Sequence, residues 1–507
     1  MKNFRETLFK HLDGIVLMPT ILALKKVNII QLINKKESFT INDLNKNNNI
    51  NLGYLNVSLR TLMNCNLINL IEKNDINDYK FNSNKKLYKL TRNIDLIKNI
   101  DFLISFYLKI NNLKNRDIKN YLNYINDLIN SNYKKNSFLA DYFEGFLLGP
   151  ILSKLSFNRK LKIHNSKIIL NDIDKNFKKA IFKLFIYFGL INNNKLTKKG
   201  LYFISKASAY GVTVSYLNTL NNINKLLTSK PDFIWQRTED NTEIHVDRPL
   251  NVWGSGGAHK NYFKKIDNII LDIFNKPLYE QPDGIIDIGC GDGTFLKHLY
   301  KIITNNTIRG ENLNKKPLII VGTDINKKAR IATKSTLKKI NHYILSGDIS
   351  NPKKLNNDLI KKYDLKLKNL LNCRTFLDHN RIYKKPSKEF LKHDIISKGS
   401  FAFKGKLINS RNLIANFIEH LHKWKPYIKK YGLIIIELHT LDPEITRINS
   451  GKTLSCSYDT THGYTDQYLI EYDCYMNCFK NAGIHNTSKN EYIFPETNPT
   501  VSINYFI

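Results

Sequence analysis

The sequence predicts an α/β protein in which a Rossmann-like, mostly parallel sheet of seven strands follows two helical modules. Three observations predict this fold: an apolar strand that runs into a glycine-rich turn at 284–293, later apolar strands that end in acidic residues, and a final pair of apolar segments that suits an antiparallel hairpin. At 507 residues the chain has room for two or three domains. We divide it into a winged-helix-like module, a helical linker, a second winged-helix-like module, a connector and the sheet domain: 1–95, 96–139, 140–206, 207–280 and 281–507.

The chain is strongly basic, with 78 Lys and Arg against 44 Asp and Glu and a formal net charge of +34. The lysines are scattered among Asn and Ile along the whole length, which favours biased codon usage over a nucleic-acid-binding patch. The six cysteines form no closely spaced pair, which is typical of a reducing compartment. Neither a signal peptide nor a run of eighteen apolar residues is present. We therefore expect a cytoplasmic protein without membrane or DNA partners.

Residues 1–95 combine apolar helices with a short closing hairpin, which is the order of a winged helix. A helix-start signal stands at Thr40, and residues 79–91 are predicted to form the hairpin. Residues 145–155 resemble residues 14–24, with a proline at the same place in each, so we infer an internal duplication. Such modules form homodimers or cover a substrate. DNA binding is disfavoured because the second helix of each module lacks an arginine-rich polar face.

The connector carries two signals of its own. Residues 207–217 are small and β-rich, and residues 247–263 read as a Gly/Ser loop that enters a helix. We expect this loop to cover the cofactor, with Gly254, Ser255 and His259 near the cofactor or the substrate. A plain helix-capping loop is the alternative.

The glycine-rich turn is the most specific feature of the chain. Gly289, Gly291 and Gly293 follow a strand and precede a helix, and glycines there permit a tight turn and a close approach of the backbone to a ligand. Asp287 lies inside the strand just before them. Dinucleotide fingerprints do not need an acid at that position, whereas a ligand that carries a cationic amino acid does.

Two later strands end in carboxylates that suit the rest of the same ligand. Asp324 is placed for the ribose hydroxyls and Asp348 for the adenine amino group, and we count Ile325 and Ile349 beside them as cofactor contacts. Together with Asp287 they indicate S-adenosylmethionine (SAM) and the class I SAM-methyltransferase layout. Another nucleotide-binding Rossmann domain is the alternative.

Two segments at the same rim of the sheet carry candidate reacting groups. Residues 373–381 supply Arg374, Asp378, His379 and Arg381, and His462 follows the strand predicted at 432–440. A histidine from each segment plus an oxygen donor leaves open positions on a divalent metal, which can stabilise an enolate. Alternatively, His379 is the general base of a metal-free enzyme. The two arginines either grip a substrate carboxylate or pair with Asp378.

Five stretches resemble a known family, the mononuclear metal-dependent C-methyltransferases of polyketide starter-unit assembly, of the type of the first methyltransferase domain of the apratoxin synthase. More distantly they are similar to C-methyltransferases of 2-oxo acids such as phenylpyruvate. The resembling stretches are 208–217, 245–267, 287–300, 374–381 and 461–473.

This resemblance implies a metal held by His379, His462 and Gln467, with Fe or Mn favoured and Zn as a further candidate. It also implies methylation at the α-carbon of a malonyl-type thioester on an acyl carrier protein, which another chain must supply. Several 2-oxo acid relatives have Asp after the first histidine, where this sequence has Asn380, and Asp378 is the candidate substitute. His379, His462, Asp378 and Arg374 are thus the predicted catalytic residues.

Other functions remain open from the sequence. A 2-oxo acid C-methyltransferase is the nearest rival, followed by a small-molecule O-methyltransferase that would use one histidine as base. A SAM-binding regulator would place its winged helices on DNA, and its duplex binding would be sensitive to salt.

Overall fold

The computed structural model describes residues 3–46, 49–72, 79–92, 99–131, 138–239 and 242–507. In the N-terminal half, the helices are α1 (Phe4–Lys26), α2 (Ile29–Lys35), α3 (Ile41–Asn45), α4 (Leu52–Asn64), α5 (Lys85–Arg92), α6 (Ile100–Leu108), α7 (Asn115–Asn130), α8 (Ala140–Phe157), α9 (Lys175–Tyr187), α10 (Lys198–Ser205), α11 (Gly211–Ser215), α12 (Leu217–Asn221) and α13 (Ile223–Thr228). The strands there are β1 (Ser38–Thr40), β2 (Ile68–Glu72), β3 (Lys80–Ser83), β4 (Leu161–His164), β5 (Lys167–Leu170), β6 (Ile191–Asn192) and β7 (Lys195–Leu196).

In the C-terminal half, the helices are α14 (Arg248–Phe274), α15 (Thr294–Asn306), α16 (Ile308–Glu311), α17 (Lys327–Thr336), α18 (Pro352–Tyr363), α19 (Ser410–Ile428), α20 (Pro443–Ile448), α21 (Ser455–Gly463) and α22 (Tyr472–Asn481). The strands are β8 (Gly284–Ile288), β9 (Ile319–Thr323), β10 (Tyr343–Leu345), β11 (Leu370–Thr375), β12 (Ala402–Phe403), β13 (Lys406–Leu407), β14 (Leu433–Leu438), β15 (Tyr492–Phe494) and β16 (Val501–Phe506).

Seven of these strands form the predicted sheet, in the order β10-β9-β8-β11-β14-β16-β15. The first five run parallel, and β16 pairs antiparallel with both β14 and β15. Each face carries its own core: Ile286 and Ile435 belong to one, whereas Ile285 and Ile434 belong to the other. Apolar residues therefore follow one another along the central strands, as expected for a sheet covered on both faces. The α/β Rossmann-like prediction is confirmed.

Helices α1 and α8, which contain the two similar sequence stretches, pack against each other at glycines. A Cβ atom on Gly14 would lie 1.8 Å from the carbonyl oxygen of Tyr142, and one on Gly145 would lie 2.1 Å from the Cα of His11. Each glycine thus contacts the residue three positions before the other glycine. The contact has local twofold symmetry, which is the arrangement that an internal duplication would produce.

The predicted helix start at Thr40 is present, because its side chain and that of Asp43 each accept the other's backbone N–H at the beginning of α3. The predicted hairpin at 79–91 is wrong. The backbone leaves the strand conformation after β3, and α5 takes up the second half of that stretch. The wing instead pairs β3 with β2 on one side and with β1 on the other.

The connector also differs from its prediction. Residues 207–217 are helical, and the expected Gly/Ser loop is the first part of α14, which Asp247 caps by accepting the N–H of Leu250. The small residues serve a close helix contact instead of a loop. A Cβ atom on Gly254 would lie 2.5 Å from the backbone nitrogen of Val212.

The two halves share one core, since Ala402, Cys456 and Tyr464 of the C-terminal half belong to the cluster built around α1 and α4. Among the described helices, α1 alone is long and apolar enough to cross a membrane by length and composition. However, 83% of its most apolar window is buried inside the protein, so it serves as a core helix here.

Candidate active site

The turn after β8 has the conformation that its glycines permit. Gly289, Gly291 and Gly293 have φ values of +79°, +55° and +78°. The backbone N–H groups of Gly289 and Cys290 donate to the carbonyl of Thr323 at the end of β9, at 2.8 and 2.9 Å. Since only glycine adopts such angles at little cost, the turn requires this sequence. The ends of the two strands are thereby tied together at one edge of the sheet.

Asp287 is a buried carboxylate with an unsatisfied oxygen atom among the described residues. Its side chain is 1% exposed, and no described residue donates a hydrogen bond to its Oδ1. Burial, with the charges of Asp324 and Asp292, raises its pKa well above the ordinary value. A buried ionised carboxylate is costly unless it is paired. The residue therefore fits a cationic group of a ligand, such as the ammonium of SAM.

Asp324 lies at the tip of β9, where its Oδ2 accepts the N–H of Gly291 at 3.2 Å and its Oδ1 accepts that of Asn326 at 2.7 Å. It is thus held directly beside the glycine turn, as a ribose-binding carboxylate would be. The following Ile325 is 64% exposed.

Asp348 follows β10 and accepts the N–H of Ser350 at 2.8 Å. Ile349 next to it packs in the core on the side of α19, and its carbonyl accepts the indole N–H of Trp424.

The structure places Gly254 in α14, where it contacts α11, and the hydroxyl of Ser255 donates to Val252 within the helix. The side chain of His259 lies outside the described residues.

The sequence reasoning missed Arg248, the first residue of α14, which donates to Glu243. Burial raises the pKa of Asp324 and lowers that of His462, and the charge of Arg248 adds a smaller lowering effect to each.

The two candidate histidines converge as expected. His379 sits on a short 3-10 turn after β11, and His462 lies in the last turn of α21. Their ring centroids are 5.1 Å apart, with the ring planes at 74°. The Tyr468 N–H donates to the carbonyl of His379, and that of Gln467 donates to the carbonyl of His462. The first bond joins the two candidate segments, and the second closes the turn between His462 and Gln467.

Each histidine uses its Nδ1 for a protein contact. His379 donates from Nδ1 to Glu437 Oε1 at 2.6 Å, and His462 donates to the carbonyl of Tyr458 at 2.8 Å. Burial is the main effect that lowers the pKa of His462, to about 3. Its ring is therefore neutral at physiological pH. In both rings Nε2 is the nitrogen left for a ligand, which is the usual arrangement of metal-binding histidines.

Gln467 is oriented in the same way. Its amide nitrogen donates to the hydroxyl of Tyr216 at 3.4 Å and to that of Thr465 at 2.9 Å. Its carbonyl oxygen is left as the candidate ligand. His462 and Gln467 also line one small cavity. Across the described ranges, no group of three His, Cys, Asp or Glu side chains is arranged to hold a metal, so the candidate set is two imidazoles and one amide.

Glu437 near the end of β14 is a site residue that the sequence reasoning missed. Its Oε2 accepts the backbone N–H groups of Asp378 and His379, while Oε1 accepts the ring of His379. One carboxylate thus fixes both the backbone and the imidazole of that histidine. An acid inside the apolar run LIIIEL was the available signal.

Arg374 and Asp378 form a buried ion pair of 2.7 Å. The guanidinium holds the pKa of Asp378 well below its usual range, although burial opposes this. Arg381 donates to the carbonyl of Asp378 and to the side chain of Asn416. Both arginines are buried, at 0% and 4% exposure, and Arg374 makes the pairing with Asp378 that was one of its two alternatives. The ion pair of Arg374 and Asp378 stabilises the turn that carries His379.

A family profile described as the AprA MT2-like domain matches residues 243–505, which is more than half of the chain. The chain belongs to the AprA-type methyltransferases. Profiles described as the AprA N-terminal domain and the AprA winged helix domain match residues 4–70 and 144–230 of this methyltransferase. The predicted SAM-dependent methyltransferase is therefore confirmed, and so is its family.

Several solved structures are similar to this AprA-type methyltransferase at low sequence identity. The trans-methyltransferase CalH in complex with SAH is 11% identical over 87% of this chain and 98% of its own, with a TM-score of 0.35. The carbon methyltransferase CurJ is 11% identical over 83% and 93%, with a TM-score of 0.34. The carbon methyltransferase DszA is 9% identical over 83% and 92%, with a TM-score of 0.36. No curated protein matches the sequence.

Proposed function

We propose that this methyltransferase transfers the methyl group of SAM to the α-carbon of a malonyl-type thioester, which an acyl carrier protein on another chain delivers in polyketide biosynthesis. The observation that carries the proposal is the convergence of His379 and His462 with Gln467, each oriented by its own hydrogen bonds. Three such groups suit one divalent metal. The resemblance to metal-dependent C-methyltransferases supports the substrate class.

The residues present fit a metal by their chemistry. The Nδ1 atoms of both histidines are used by Glu437 and by the Tyr458 carbonyl, so both rings have a fixed tautomer with a lone pair on Nε2. Two imidazoles and an amide oxygen leave open positions for substrate, and Fe or Mn is favoured over Zn. When bound, such a metal supplies Lewis-acid stabilisation of the negative charge that develops on a substrate carbonyl.

The cofactor residues lie beside this set. Strands β8 and β11 pair with Ile288 opposite Arg374, so the glycine turn and the His379 turn leave neighbouring strands at the same edge of the sheet. A Cβ atom on Gly289 would lie 3.0 Å from the Leu377 side chain, which shows how closely the two turns approach. Asp287 would bind the ammonium of SAM and Asp324 its ribose. Methyl donor and acceptor would therefore be bound at one rim.

A second candidate is a metal-free O-methyltransferase that acts on a small hydroxylated molecule. The short contact between His379 and Glu437 favours it, because a carboxylate that orients a histidine is also the arrangement of a general base. In that case His379 alone removes the substrate proton, and His462 has no chemical role.

The two candidates separate by metal content and substrate. The protein is purified without oxygen, its Fe, Mn and Zn are measured, and methyl transfer to malonyl-carrier protein, phenylpyruvate and other 2-oxo acids is followed by mass spectrometry. We expect about one metal per chain, methylated malonyl-carrier protein, and loss of both metal and activity in His462→Ala.

His485→Ala is the matched control for this experiment, because that histidine is exposed and lies outside the site. We expect it to keep metal and activity. A metal-free protein whose His462→Ala variant is fully active would contradict the metal-dependent proposal and favour the general base.

A further inference from the structure

Helix α4 of the N-terminal half lies antiparallel to the segment 456–466, which carries His462. Side chains of the two segments meet in pairs along their whole length. The pairs are Tyr54 with Asp466, Ser58 with Tyr464, Thr61 with Thr460, Arg60 and Asn64 with Asp459, and Cys65 with Cys456. We call this series the α4 ladder.

The α4 ladder is polar although it is buried. Every residue from 53 to 64 is buried, and Arg60 reaches three acceptor groups of the C-terminal half besides Asp459: the carbonyls of Lys398 and Leu441 and the hydroxyl of Thr440. A buried polar group that loses its partner is costly, whereas apolar side chains can slide past one another. These pairs therefore stabilise the contact between α4 and the 456–466 segment.

The last pair of the ladder reaches the candidate site. The carboxylate of Asp466 accepts three donors from three separate parts of the chain: the Tyr54 hydroxyl at 2.8 Å, the Trp235 indole N–H at 3.1 Å and the Lys404 backbone N–H at 3.0 Å. Asp466 has a φ of +55°, in the left-handed region that non-glycine residues seldom occupy. Its position must be held by these contacts, and the next residue is Gln467.

We propose that Tyr54 and Asp466 are positioning residues of the methyltransferase site, through which the N-terminal half sets the place of Gln467 and of the neighbouring His462. This inference rests on the proposed metal-binding role of those two residues. It gives the N-terminal half a part in building the site itself, in addition to any covering of the substrate.

The test compares two tyrosine hydroxyls of the same ladder. Tyr54→Phe removes the donor to Asp466. The matched control Tyr464→Phe removes an equally buried hydroxyl, which contacts Ser58 and Thr20 but not Asp466. Binding of Mn²⁺ to the metal-depleted full chain is measured by titration, together with SAH binding and the Tm.

We expect Tyr54→Phe to weaken Mn²⁺ binding about tenfold, as is typical when a contact behind a metal ligand is lost. Tyr464→Phe should lower the Tm to a similar extent while Mn²⁺ binding stays as in the unaltered chain. SAH affinity should be unchanged in both, because Asp287 and Asp324 lie outside the ladder. Trp235→Phe, which removes a second donor to Asp466, should weaken Mn²⁺ binding in the same direction and serves if Tyr54→Phe does not fold.

Equal Mn²⁺ affinity in the folded Tyr54→Phe, Trp235→Phe and control variants would overturn the positioning role and leave the metal proposal intact. Failure of the unaltered chain to bind Mn²⁺, Fe²⁺ or Zn²⁺ would instead remove the metal proposal, and the positioning role with it. The two failures are therefore distinguishable.

Discussion

Strands β8 and β14 flank β11, and each carries one acidic residue in an otherwise apolar run. Asp287 and Glu437 are equally buried, at 1% exposure. No residue in the described part of the chain donates a hydrogen bond to Oδ1 of Asp287, whereas Glu437 accepts from two backbone N–H groups and one imidazole at the His379 turn. Burial alone therefore does not tell the role of a carboxylate. We use the donors instead and interpret Asp287 as a candidate ligand-binding group and Glu437 as a candidate positioning group for His379.

A third carboxylate, Asp378 on the turn after β11, gives the largest expected effect. Asp378→Asn breaks the buried pair with Arg374 and leaves that guanidinium without its counter-charge. We expect a loss of about 3–5 kcal/mol in the free energy of unfolding, measured by urea denaturation. Lys354 and Asp358 form an exposed pair, so Asp358→Asn is the control and should cost under about 1 kcal/mol. Equal costs would contradict the assignment of Asp378 to structural support.

Asp287→Asn tests the unpartnered member of the comparison. We expect SAH affinity to fall about 100-fold, because a charge-assisted bond to the ligand ammonium contributes about 1.5–3 kcal/mol. The Tm of the ligand-free protein should rise or stay constant, since a buried carboxylate without a partner is removed. SAH titration and thermal unfolding measure the two effects. A lower Tm with unchanged SAH affinity would show that the carboxylate is structural.

Glu437→Gln should weaken metal binding, whereas Asp287→Asn should weaken SAH binding. The amide can no longer accept both backbone N–H groups and the His379 ring with full charge, so we expect metal affinity and methyl transfer to fall about tenfold or more. SAH affinity should be unaffected. Metal titration and initial rates check this, and a selective loss of SAH binding would reverse the roles assigned to the two acids.

Asp13 lies between these two cases, because it accepts the backbone N–H of Ser457 and burial raises its pKa to about 8. A carboxyl with a raised folded-state pKa stabilises the protein less as pH rises from about 4 towards that value. Urea unfolding at pH 5 and pH 8 should show a loss of stability on the order of a kcal/mol or more.

Asp13→Asn should remove that pH dependence and raise stability at pH 8. The control Asp141→Asn changes a carboxyl near the start of α8 and should retain the slope of the unaltered chain. An identical slope in Asp13→Asn would mean that another group titrates in this range.

Much of the cofactor region could be predicted because its signals are local. The glycine turn, the acids at the strand ends and the capping box at Thr40 each depend on backbone geometry within a few residues. The convergence of His379 and His462 was also predictable, since neighbouring parallel strands end at the same edge of the sheet.

Other features of the structure could not be predicted from local sequence signals. In the sequence, Gly211 and Gly254 suggest a flexible connector. In the structure, they belong to the helices α11 and α14, which contact each other at these two glycines. The role of Glu437 depends on donors from another strand segment, some sixty residues away in the chain.

By itself, then, the sequence determined the class of fold, the cofactor turn and the two histidine segments, because local backbone preference and strand order suffice for these. Only the tertiary structure decided that Glu437 holds His379 and that α4 contacts the segment of His462. Each of these depends on which distant side chain supplies the partner for a buried polar group. That choice is made by packing, and no pattern within one segment encodes it.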